Sequence, residues 1–63
     1  MEDYQQRVVD EKTELNEKQA ALEVFKASSL FVGLPCIDRG LLKRQAEHMQ
    51  EYSDILGQRI ARF

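Results

Sequence analysis

Residues 28–37 read Ser-Ser-Leu-Phe-Val-Gly-Leu-Pro-Cys-Ile, and this stretch decides how the chain is organised. Ser28, Ser29, Gly33 and Pro35 are stop and turn residues, so a helix arriving from the N-terminal side ends here. Leu30, Phe31, Leu34 and Ile37 are too apolar for a freely solvated loop. The stretch reads as a short helical turn that folds back and plugs the open end of a helical hairpin. A one-turn extension of either flanking helix is the alternative.

On the N-terminal side, Tyr4, Val8, Leu15, Leu22 and Phe25 recur at steps of four, seven, seven and three, which is one stripe of a helix. No Gly or Pro interrupts residues 2–27. Glu2 and Asp3 suit the positive end of a helix dipole, and Lys26 suits the negative end. Asp3 to Arg7 and Glu14 to Lys18 are i,i+4 pairs of favourable order, worth about 0.2–0.5 kcal/mol each. These features predict a helix over about residues 3–27.

On the C-terminal side, Asp38 can cap a second helix over about residues 38–62, or that helix starts slightly earlier with Pro35 in its first turn. Leu42, Met49, Leu56 and Phe63 form a strict seven-residue series, and Leu41, Ile55 and Ile60 widen it. Gly57, inside this helix, costs about 1 kcal/mol relative to Ala. It marks either the close approach of another backbone or a tolerated surface position.

The expected fold is all-α, one domain over residues 1–63, with two antiparallel helices joined by a short turn segment. Such a hairpin has a single buried seam and leaves Leu41, Ile55 and Ile60 partly exposed on its flank. Domains of this size usually need disulfides, a metal or oligomerisation. Cys36 is the only cysteine and His48 the only histidine among 63 residues, so oligomerisation remains. A homodimer or higher symmetric oligomer, built as a helical bundle, is the predicted assembly.

Between the apolar layers the heptad pattern turns polar. Stepping back four residues from Leu15 and Leu22 reaches Glu11 and Lys18, and the matching interval on the second helix reaches Gln45, Tyr52 and Arg59. If Phe25 faces Leu42, antiparallel pairing keeps paired numbers summing to about 67, which sets Glu11 near Arg59, Lys18 near Gln45 and Tyr52, and Tyr4 beside Phe63. One reading makes these groups a register-setting network, with a Glu11–Arg59 ion pair and a Lys18–Tyr52 hydrogen bond, because unpaired burial of charge costs several kcal/mol. The other makes them a partly open pocket between subunits. There Lys18 and Arg59 hold phosphate, Tyr52 stacks on a base and Glu11 accepts from sugar hydroxyls, with Gln45 and Arg7 beside them. A third leaves them pointing to solvent.

The remaining groups exclude more than they suggest. Nine Lys and Arg against eleven Asp and Glu give a net charge of −2, which disfavours long nucleic acid as a partner. His48 with Glu51 reads as a solvated surface pair rather than half a metal site, and Cys36 as a small apolar filler or an incidental thiol. There is no Gly-rich phosphate loop, no nucleophile with a histidine base placed by spacing, and no metal box, so neither enzymatic activity nor a cofactor is expected. No apolar run is long enough to span a membrane. With one cysteine and no basic-then-apolar leader, the expected location is intracellular.

The pattern as a whole resembles a set of very small helical-hairpin proteins of tailed phages and prophages. The resemblance rests on Val8-Val9-Asp10-Glu11-Lys12-Thr13-Glu14-Leu15, then Lys18, Leu22 and Phe25, then Leu34-Pro35, Leu41-Leu42, Gln45, Met49 and Tyr52-Ser53. Its most particular part is the ending Ile55-Leu56-Gly57-Gln58-Arg59-Ile60-Ala61-Arg62-Phe63, while Cys36 and Gly40 depart from the pattern. The resemblance implies an accessory protein acting in the cytoplasm of a host cell against a defence system. Two mechanisms fit: an oligomer that sequesters a small anionic, nucleotide-derived immune signal in pockets between helices, or a module that binds and inhibits a host protein.

Overall fold

The computed structural model describes all residues, Met1–Phe63, and is all-helical: α1 spans Asp3–Lys26, α2 Ser29–Val32 and α3 Cys36–Ala61. Helix α1 opens with Gln5 reaching back to accept the Glu2 backbone N–H at 3.0 Å, which satisfies one of the donors a helix start leaves unpaired. The favourable pairs expected at Asp3–Arg7 and Glu14–Lys18 do not close. The only ion pairs are Lys26–Glu23 at 3.1 Å and His48–Glu51 at 3.6 Å.

Ser28 makes the corner. Its hydroxyl donates to the Phe25 carbonyl at 2.6 Å, closing the end of α1, and accepts the Phe31 amide at 3.4 Å, opening α2. One side chain thus serves both helix ends. Of the four apolar residues expected to plug the turn, Phe31 is buried and Leu34 half-buried, whereas Leu30 and Ile37 are exposed. Phe31 reaches inward to stand edge-on to Phe25, with ring centroids 6.2 Å apart. A four-residue helix has one inward face, so it buries one large side chain. Pro35, extended at φ −55° and ψ 148°, precedes α3, which starts at Cys36, two residues ahead of Asp38. The Cys36 thiol is exposed and fills no apolar gap.

Helices α1 and α3 pack along their length. Tyr4 meets Phe63 edge-on at 5.9 Å, and Gln19 bonds Gln50 further along, so residue numbers fall on α3 as they rise on α1. Val8, Leu15 and Leu56 form the core, with Met49 and Ile60 packed against it. Ile60 therefore belongs to the seam, not to the exposed flank where the heptad reading set it. Leu56 has no exposed surface, yet only six of 63 residues are buried. The molecule is a rod of 45 × 15 × 13 Å.

Candidate functional site

Which polar residues enter the seam is decided on α3. Four residues beyond Leu42, Met49 and Leu56 stand Ala46, Ser53 and Ile60, and three beyond stand Gln45, Tyr52 and Arg59. Burying the small and apolar set costs far less desolvation than burying an amide, a phenol and a guanidinium. Ala46 and Ser53 are accordingly buried and Ile60 half-buried, whereas Gln45, Tyr52 and Arg59 are exposed. In an opposed pair of helices the same flank of each helix meets, so α1 follows. Lys12 and Gln19 turn into the seam, and Glu11 and Lys18 turn out of it.

The result is a polar ladder at positions that the heptad reading passed over. Lys12 Nζ donates to both the carbonyl oxygen and the Oγ of Ser53, each at 2.8 Å. Ser53 Oγ donates in turn to Asn16 Oδ1 at 2.7 Å. One level on, Gln19 donates to Gln50, whose amide donates to Asp54 at 2.9 Å. Lys12 is thus held by oxygen dipoles and by no carboxylate. Lys12 passes beside Gly57, where a Cβ would lie at an ordinary contact distance of 3.5 Å from its Nζ. The approach this glycine marks is that of a lysine side chain, not a backbone. The sequence signal for the ladder is the small residue four positions after Leu42 and Met49 on α3, Ala46 and Ser53.

The six residues singled out for ligand binding, Arg7, Glu11, Lys18, Gln45, Tyr52 and Arg59, are all exposed along the opposite flank. Two of them meet: the Tyr52 hydroxyl donates to the Glu11 carboxylate. Neither the Glu11–Arg59 ion pair nor the Lys18–Tyr52 hydrogen bond forms, because Tyr52 lies nearer Glu11 and the two cations reach solvent. Arg7, Lys18 and Arg59 take part in neither ion pair of the structure. The Gln45 side chain donates its one hydrogen bond to Met49 Sδ, at 3.9 Å. The flank therefore offers cations without partners, an exposed phenol ring and an acceptor carboxylate. At its far end lies the Tyr4–Phe63 aromatic pair.

A shallow depression of about 390 Å³ lies on the other flank, lined by Gln19, Glu23, Lys26, Lys43, Ala46, Glu47 and Gln50. Its two lysines are balanced by two glutamates, and Lys26 is already paired with Glu23, so it has no net attraction for an anion. No three His, Cys, Asp or Glu side chains gather as they would around a metal ion. No helix is long and apolar enough to cross a membrane.

The sequence model of the family described as Sequestin matches residues 2–62. The chain belongs to the Sequestin family. The match runs through all three helices and both flanks of this sequestin-family chain. No curated protein and no solved structure gives a significant match. The Sequestin name is compatible with holding a ligand, and suggests binding rather than catalysis.

Proposed function

We propose that this chain is a non-enzymatic counter-defence protein of a tailed phage, a helical hairpin that assembles with further copies of itself in the host cytoplasm. It sequesters a small anionic signal derived from nucleotides. Lys18, Arg59 and Arg7 neutralise phosphate, Tyr52 stacks on a base, and Glu11 and Gln45 take hydrogen bonds from sugar or base edges. The observation that carries the reading is the family match over residues 2–62, taken with one flank on which three unpaired cations flank an exposed tyrosine. A phosphate needs cations that are not already committed to carboxylates, and an aromatic platform adds affinity without demanding a particular base.

Native mass spectrometry of the protein purified from defence-active cells tests this. The expected spectrum shows an oligomer carrying an adduct of nucleotide size. A clean oligomer with no adduct, together with no binding of added signal nucleotides, would sink the proposal and favour inhibition of a host protein through the acidic outer face of α1, where Glu14 and Glu17 are exposed.

A further inference from the structure

The folded chain exposes 4865 Å², about 700 Å² more than the roughly 4,200 Å² expected of a compact monomer of this mass. Its radius of gyration is 14.5 Å, against about 10.6 Å for a compact chain of this length. The surplus is close to the roughly 800 Å² that each partner gives to a standard interface.

The exposed apolar surface of α3 is not scattered. Ile37, Leu41, Tyr52 and Ile55 are 78 %, 54 %, 43 % and 54 % exposed, and their steps of four, eleven and three keep them on one stripe about 27 Å long. The stripe is also self-complementary. Ile37 with Ile55, and Leu41 with Tyr52, stand at nearly equal distances either side of residue 46. An antiparallel two-fold contact of α3 with its own copy would set Ile37 against the second copy's Ile55, and Leu41 against the second copy's Tyr52. An isologous interface requires this kind of repeat of one patch on itself. Its middle holds Arg44 and His48, with Glu51, already 3.6 Å from His48, as the neighbouring acid. The apolar pairs thus stand toward the two ends of the contact, with a charged middle between them in which Glu51 can offset Arg44 and His48.

We infer that a second copy of this chain covers Ile37, Leu41 and Ile55 on α3 and abuts only the edge of the Tyr52 ring, and that this contact turns the open Glu11–Tyr52 flank into the wall of a cleft between copies. The inference rests on the self-assembly proposed above and names the surface that performs it.

Sedimentation velocity of the full chain over micromolar concentrations gives the first result. A multimer is expected for the natural sequence, and Leu41→Asp and Ile55→Asp each weaken association about 30-fold or more. Val24→Asp and Val32→Asp, at equally exposed apolar positions off the stripe, leave it unchanged. Because an aspartate can also disturb folding, a photo-cross-linking side chain at position 55 or 24 of the otherwise natural chain supplies a second result. Cross-links between copies arise from position 55 and not from position 24. A monomeric natural chain, or cross-links from position 24 alone, overturns the inference. Cross-links from position 55 uphold it even if no nucleotide binds, so its fate is separable from that of the ligand.

Discussion

Leu56 and Lys12 occupy opposite extremes of the same seam. Leu56 has no exposed surface and lies between Val8 and Leu15. Truncation leaves a cavity that a two-helix packing cannot close, so Leu56→Ala is expected to cost about 2–5 kcal/mol. In a chain with so small a core this is comparable to the whole stability, and the helical signal in circular dichroism should collapse at room temperature. Retention of a cooperative melt near that of the natural chain would contradict the packing described. Lys12 holds Ser53 through two charge-assisted bonds from a half-buried site. Lys12→Ala is expected to cost about 1–2 kcal/mol, with Lys12→Met recovering the share that belongs to the aliphatic stem. Urea unfolding of the three proteins at one fixed concentration separates these terms. On the opposite flank, Lys18→Ala and Arg59→Ala should leave the melt unchanged and lower ligand retention. If instead charge reversal at Glu14, Glu17 or Glu47 abolishes protection in cells while those two alanine variants protect fully, the ligand reading fails.

The helices themselves carry avoidable costs. Gly40 has nothing within 4 Å of the place a Cβ would occupy, and at Gly57 the nearest atom is at an ordinary contact distance of 3.5 Å. Gly40→Ala and Gly57→Ala should each stabilise α3 by about 0.5–1 kcal/mol, read as a rise in melting temperature. A fall at Gly57 would mean that the added methyl disturbs the Lys12–Ser53 hydrogen bonds. The corner between α1 and α2 depends on one hydroxyl. Ser28→Ala removes both of its bonds, with an expected loss of about 1 kcal/mol and earlier hydrogen exchange at the Phe31 amide than elsewhere. The limits of α1 and the existence of α2 were legible because stop residues, caps and i,i+4 spacing act within a turn or two of chain. The exposure of Leu30 and Ile37 was not, since it depends on how many faces a four-residue helix can bury.

At the scale of the whole molecule, the three helices bury six residues between them and leave a second apolar stripe uncovered. A rod of these dimensions has no interior in which to hold a ligand, so a binding site must lie on a flank or between copies. The two flanks differ in charge. The shallow depression pairs its lysines with glutamates, while the Tyr52 flank leaves its cations free, and this separates a surface suited to anions from one that is not. Residue types and their spacing alone determined that the chain is helical, where its helices break, and that its apolar residues are too few and too widely spread around α3 for one seam. Those are local properties: each follows from contacts along a single helix. Which polar residues line the seam was decided only when the helices met. Positions three and four residues beyond an apolar one flank it on either side, and a single helix has no reason to prefer one side. Ala46 and Ser53 supplied that reason by costing less to bury than Gln45 and Tyr52, and they drew Lys12 in and turned Glu11 and Lys18 out to solvent.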